Sequence, residues 1–278
     1  MSLSLDNIPR DPDGFIRLKY QYSELFRKRN YLTKKNLIID RIYEYDIRSA
    51  NVSALRWSDL FQEDQLDVLE GLPKMEREVA VGKLIRSNKQ FQRIIHNGIF
   101  QARERLFRYN HIQDNDVLSI KNDAVFIIGK NLKECKFGPM EFRKKNQYAA
   151  FMKLDKLELY YDRKHKTVDI KGVRDEIVEH PDHQEGMVQF FVTAMNYLVM
   201  DQRPRLREYL ISFVHDYKNL KLPYQYYREL NRDNCYRTKY ELTGYAFNLD
   251  QIEQDQVKEI NITYNYMRFI LPLTQMLM

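Results

Sequence analysis

Apolar and polar residues alternate from Ile42 to Ile47, where Tyr43, Tyr45 and Ile47 occupy every second position, and this predicts a strand. The period then changes. Ser49 suits a helix N-cap, and Ala50, Ala54 and Leu55 begin a helical repeat. Asp46 therefore sits at the end of a strand, just before a turn. Upstream, residues 1–13 are polar, contain Pro9 and Pro12, and read as an arm; Tyr20 to Leu32 reads as a helix. Downstream, Asp59 to Glu70 suggests a short helix or loop ended by Gly71 and Pro73. Ala80, Leu84, Phe91 and Ile95 mark one face of a long helix from about Met75 to Asn97, with Gly98 as its break. A second helix runs from Ile99 to Tyr109. Val117 to Lys130 reads as a hairpin whose tip is Lys121-Asn122-Asp123. Residues 131–156 look loop-like and basic. Leu157 to Tyr161 and Val168 to Val173 form a second hairpin, and helices follow over Glu185 to Met200 and Arg203 to Tyr217. Val257 to Tyr264 alternates like a strand. The pattern predicts an α+β protein: an antiparallel sheet packed with helices, then a mainly helical C-terminal region.

Composition narrows the classes. With 278 residues, 44% hydrophobic and 13% aromatic, the chain can build a real core and is not a disordered tail. The nine glycines form no phosphate-cradling loop of the P-loop or dinucleotide type. Cys135 and Cys235 are the only cysteines and no CxxC occurs, which argues against a multi-thiolate zinc site and for a reducing compartment. No apolar run approaches ~18 residues and the N-terminus lacks a signal-peptide pattern, so a soluble, intracellular protein without a membrane partner is expected. A net charge of +6 fits a nucleic-acid surface, or simply a solvated basic one.

The chemistry centres on two acids. Asp46 and Asp123 each stand at a strand end, where the backbone is held by a sheet. Such a pair suits two-metal phosphoryl transfer, with Mg²⁺ ions ~3.5–4 Å apart held by carboxylates and substrate phosphates. Lys83, Arg86, Lys89 and Arg93 lie on the intervening helix, either as a solvated face or as a grip on a triphosphate. His180, Asp182 and His183 precede a helix and form a weaker candidate ligand set, and the tyrosines from Tyr224 to Tyr245 could stack on bases or pack a core.

Tyr45-Asp46-Ile47-Arg48-Ser49-Ala50-Asn51-Val52-Ser53 resembles the first palm motif of family B DNA polymerases, D-x-x-S-L-Y-P-S. Ser119 to Phe126, with Asp123, resembles the third motif, Y-x-D-T-D-S, and the preceding Ala102-Arg103-Glu104-Arg105-Leu106 is similar to the helix before it. Lys83 to Phe91 resembles the fingers motif K-x-x-x-N-S-x-Y-G. Lys144-Lys145-Asn146-Gln147-Tyr148-Ala149 is similar to the K-K-x-Y motif, and Ile170-Lys171-Gly172-Val173 resembles the K-G strand after it. The motifs occur in the family's order over roughly residues 40–175.

The resemblance implies a palm-like core over residues 42–175 behind an arm and leading helix, 1–41, and a thumb-like region, 176–278, without an exonuclease domain. It implies template-directed nucleotidyl transfer with Asp46 and Asp123 as catalytic Mg²⁺ ligands. Lys83, Arg86, Lys89, Ser49 and Asn51 would meet the nucleoside triphosphate, and Lys145, Tyr148, Lys171 and Arg174 the DNA primer–template. A protein partner subunit and a viral source, hence a host cytoplasm, are further expectations. The chain also departs from the pattern. Lys121 replaces the first aspartate of the third motif, Asn146 the second lysine of K-K-x-Y, Asn51 the tyrosine that packs on the sugar, and Val52 the proline. Loss of that tyrosine should weaken exclusion of ribonucleotides. Lys121 next to Asp123 opposes metal binding electrostatically. The alternative is thus a catalytically inactive polymerase-like protein that binds nucleic acid or joins a complex.

Overall fold

The computed structural model describes residues 22–133, 135–172, 184–228, 230 and 262–278. The chain forms two compact units, one from Met1–Thr33 with Tyr43–Asn146, the other from Lys34–Ile42 with Gln147–Met278. The architecture is α+β, with antiparallel pairing in both sheets.

The first unit is built on a six-stranded sheet. Its strands are β1 (Asn30–Leu32), β3 (Ile42–Ile47), β4 (Val117–Lys121), β5 (Ala124–Ile128), β6 (Lys136–Phe137) and β7 (Met140–Tyr148), in the order β1-β4-β5-β3-β7-β6. β3 is an interior strand, and five of its six residues are buried. Its Tyr45 hydroxyl is fully satisfied, donating to Asn131 Oδ1 at 3.0 Å and accepting from the Leu132 amide at 2.8 Å. Four helices accompany the sheet: α1 (Ala50–Trp57), α2 (Glu63–Gly71), α3 (Lys74–Ser87) and α4 (Gln90–Tyr109).

Three expectations change in this unit. The segment read as a helix over Tyr20 to Leu32 holds, in its described part, only a 3-10 turn at Glu24–Arg27 and then β1. Pairing of Asn30 and Leu32 with Lys121 and Ser119 of β4 satisfies backbone groups that an isolated helix would have had to satisfy alone. The long helix breaks at Asn88, not at Gly98. Asn88 is extended, and its Oδ1 accepts from the Gln90 amide at 2.9 Å, starting a new helix. Gly98 lies inside α4 because α1 passes close by; a Cβ there would stand 3.1 Å from the Ala54 Cβ. The basic stretch expected as loop holds β6, β7 and, in the second unit, a further strand over Ala150–Leu154. Met140 and Phe142 point inward and alternate with Glu141 and Arg143, but the run Arg143-Lys144-Lys145 hides that period.

The second unit has a four-stranded sheet, β10-β9-β8-β2, from β2 (Leu37–Ile38), β8 (Ala150–Leu154), β9 (Leu157–Asp162) and β10 (Thr167–Lys171). Helices α5 (Met187–Val199) and α6 (Arg203–Lys218) share its core: Leu159, Tyr161 and Ile170 pack in one cluster with Val188, Phe191, Met195, Leu198 and Leu210. The hairpin that the sequence grouped with a 42–175 core therefore belongs with the C-terminal helices, and the unit boundary falls after Asn146. Gly172 has φ +95°, and a Cβ there would collide with the Lys156 carbonyl oxygen. At the C-terminus, Ile262–Asn265 is helical and continues through a π-turn, Tyr266–Ile270, into a helix, Leu271–Leu277. That replaces the described end of the strand expected over Val257 to Tyr264. Asn265 is buried, and its amide accepts from Leu230 N at 3.2 Å and donates to the Arg228 carbonyl.

Candidate metal centre

Asp46 is the fifth residue of β3, and Asp123 closes the two-residue turn between β4 and β5. Because β5 lies directly beside β3, the two acids are brought to the same end of the sheet. The turn is possible because Asn122 adopts φ +54°, a left-handed conformation that Asn tolerates, and its backbone N–H donates to the Arg29 carbonyl at 2.8 Å. After β3 the chain reverses at Ser49, also left-handed at φ +47°. Arg48 N donates to Glu141 O at 3.0 Å, and Ser53 Oγ donates to Arg48 O at 2.9 Å. Ser49 occupies the N-cap position of α1 but makes no side-chain capping bond.

The carboxyl groups of Asp46 and Asp123 lie side by side, close enough for one to hydrogen-bond to the other when it carries a proton. Burial raises the Asp46 pKa above the usual carboxylate range, the negative charge of Asp123 raises it further, and Lys145 on the neighbouring β7 opposes both. Lys145 Nζ stands 3.8 Å from Glu44 Oε1, and Asn146 Nδ2 donates to Glu44 Oε2 at 2.7 Å. Glu44 is buried, and Lys144 lies 4.4 Å from the centre of the Tyr43 ring. Positive charge thus borders the pair from β7.

The pair opens into a cleft of about 240 Å³ lined by Asp46, Ile47, Ser49, Ala50, Asn51, Val52 and Asp123 on one side. Lys74, Arg77, Glu78 and Val81 line it from α3, spaced i, i+3, i+4 and i+7 along one helical face. The volume is below the ~300 Å³ at which cofactor pockets begin, so it suits a phosphate group with a hydrated cation more than a wholly enclosed nucleotide. Arg77 is steadied by a 3.1 Å bond from Nη1 to the Glu70 carbonyl.

The donor set fits Mg²⁺. Two acids in contact repel one another when both are ionised, and a divalent cation between them removes that repulsion. Mg²⁺ commonly takes one or two carboxylates, with waters and substrate phosphates completing its shell. Among the described residues there is no group of three His, Cys, Asp or Glu side chains placed to hold a metal, and of those residues Asp46 and Asp123 are the pair that would hold the ion.

Ser49 and Asn51 line the cleft, whereas Lys83, Arg86 and Lys89 do not. Lys83 lies six residues beyond Arg77 on α3, about 9 Å further along the axis at ~1.5 Å per residue. The cations that do line it, Lys74 and Arg77, precede the apolar stripe of Ala80, Leu84, Phe91 and Ile95 that marks the helix in the sequence; the spacing of Lys74, Arg77, Glu78 and Val81 is the signal that points to them. Lys121 ends β4 and does not line the cleft. Tyr148 is buried, donates to Asp169 Oδ2 at 2.8 Å and packs on Tyr160; Lys171 Nζ stands 3.2 Å from the same Asp169 oxygen. These two residues meet in the second unit. Arg174, His180, Asp182, His183, Cys235, Tyr236, Tyr240 and Tyr245 lie outside the described residues. Tyr226 packs edge-on against Phe213, and Tyr224 against the same core.

Arg103 stands in the helical stretch Ala102–Leu106, where no local pattern sets it apart from its charged neighbours. It is wholly buried on α4 beneath the Asp123 turn. Burial lowers its pKa to about 10 and the charge of Asp123 counters this, so it remains a cation at neutral pH.

A family model described as bacteriophage PBS1 gene 130 protein matches residues 21–278. The chain belongs to the bacteriophage PBS1 gene 130 protein family. The match takes in both aspartates and both compact units, and a phage family agrees with the viral source expected from the sequence. No curated protein matches the chain. Among the described residues of this family member, no helix is long and apolar enough to cross a membrane.

Proposed function

We propose that this phage protein is a Mg²⁺-dependent nucleotidyltransferase that extends a DNA primer on a template. The observation that carries the reading is the contact of Asp46 and Asp123 at the mouth of a cleft whose far wall presents Lys74 and Arg77. In this reading the two aspartates hold the metal. Bound Mg²⁺ would polarise the phosphate oxygens and lower the pKa of the attacking hydroxyl. Lys74 and Arg77 bind the anionic phosphate chain from α3 and hold it opposite the acids. Ser49 and Asn51 border the sugar side of the cleft. Lys145 limits repulsion between Asp46 and an incoming phosphate.

A second reading is supported by the absence, among the described residues, of a third ligating side chain, together with Lys121 in the third motif. In it the protein keeps a polymerase-like fold and binds nucleic acid or a partner subunit without catalysis. Primer extension by wild type, Asp46→Asn and Asp123→Asn separates the two. Template-dependent extension that both substitutions abolish supports the enzyme. Silence of the wild type, with DNA binding retained in all three proteins, supports the second reading. DNA binding that relies on phosphate contacts should in either case weaken steeply with salt.

A further inference from the structure

The core-facing positions of α4 run Ile95, Ile99, Arg103 and Leu106, at spacings of four, four and three. Three are apolar. The fourth is an arginine with no exposed surface, its guanidinium 5.6 Å from the centre of the Phe100 ring. Its guanidinium spends its donors on backbone: Nη1 donates to the carbonyls of Phe26, at 3.0 Å, and Lys28, and Nη2 donates to the carbonyl of Asn122. Its buried Nε has no hydrogen-bond partner. Burying a cation is costly, and an apolar side chain of similar volume commonly serves stability as well or better. Packing therefore does not account for an arginine here. What it does supply is a clamp, since Asn122 is the left-handed residue of the turn that carries Asp123, and Phe26 to Lys28 lead into β1.

We propose that Arg103 is a positioning residue for the Asp46–Asp123 centre, mooring the Asn122–Asp123 turn to the Phe26–Lys28 backbone and so fixing where the Asp123 carboxylate stands beside Asp46. The role rests on the reading of that pair as a metal site. It does not require Arg103 to touch substrate. A turn released from the clamp would still close the hairpin, but the carboxylate would sample positions from which the two acids cannot share a cation. Partners of this kind typically change metal affinity by 10–100-fold when lost.

The test is Mg²⁺ titration by calorimetry on wild type, Arg103→Met and Arg103→Lys, with amide hydrogen exchange over residues 119–126. Lysine keeps the charge but reaches fewer carbonyls. The expected result is Mg²⁺ affinity reduced about tenfold or more in Arg103→Met and less in Arg103→Lys. Exchange should accelerate at the turn and stay unchanged along β3. If Arg103→Met does not fold, Arg103→Lys decides by the same readouts. A structural role alone would lower the melting temperature and leave the Mg²⁺ affinity of the folded protein unchanged; that outcome overturns the proposal and spares the metal site. Absence of Mg²⁺ binding by the wild type overturns both.

Discussion

Replacing Asp46 with Asn should stabilise the metal-free protein and remove its response to Mg²⁺. In the native state the Asp46 carboxylate is desolvated and faces Asp123, with Lys145 as partial relief. Two like charges ~4 Å apart at an effective dielectric of about 20 repel by roughly 4 kcal/mol. The cleft is open to solvent on one side and Lys145 opposes the repulsion, so the net gain from Asn is expected on the order of 1 kcal/mol. The pH dependence follows from the direction of the shift. An acid whose native pKa is raised favours its neutral form in the fold, so the wild type loses stability as pH rises through that pKa. The advantage of Asn is therefore full at neutral and alkaline pH and disappears as pH falls below the unfolded carboxylate value, ~3.9. For a unit of this size 1 kcal/mol shifts the melting temperature by about 2–4 °C or slightly more. Magnesium should reverse the order. With a Kd of ~1 mM, about 10 mM Mg²⁺ stabilises the wild type by roughly 1.4 kcal/mol and the variant hardly at all. Scanning calorimetry of both proteins in EDTA and in Mg²⁺, at pH about 5 and about 8, measures each arm. A variant less stable than wild type in EDTA at pH about 8, or Mg²⁺ shifts equal in both proteins, would refute the reasoning.

Lys74→Ala with Arg77→Ala should weaken nucleoside triphosphate binding about tenfold or more by calorimetry, whereas Lys83→Ala with Arg86→Ala should leave it nearly unchanged; the opposite ranking would return the triphosphate to the distal part of α3. Gly172→Ala should lower stability by about 2 kcal/mol in urea unfolding, because φ +95° is strained for alanine and its Cβ meets the Lys156 carbonyl; a neutral effect would show that the strand end can shift at little cost.

Much of the fold was legible in periodicity. The alternation of Tyr43, Tyr45 and Ile47 marked β3, the Val117–Ile128 hairpin was readable around its Asn122 turn, and Val188, Phe191, Met195 and Leu198 correctly identified the inward face of α5. These are local signals, written by the period at which a single element repeats its buried face. Where a sequence carries such a period without interruption, it determines the element. The charged run of β7 and the close packing of Gly98 on Ala54 show what happens when another demand overrides it: a solvent-facing cation cluster masks a strand, and an interhelical contact makes a glycine look like a break.

The sequence by itself determined that two aspartates would stand at strand ends, together with an α+β framework and a net positive charge. Only the tertiary structure decided that β5 lies beside β3, which puts Asp46 and Asp123 in contact. It also turned the Lys74 and Arg77 face of α3, rather than Lys83 and Arg86, toward them, and buried Arg103 under the Asp123 turn. The physical reason is that strand order and helix rotation are set by pairing and packing between residues far apart in the chain. A local repeat records which face of an element is buried, but not which neighbour buries it.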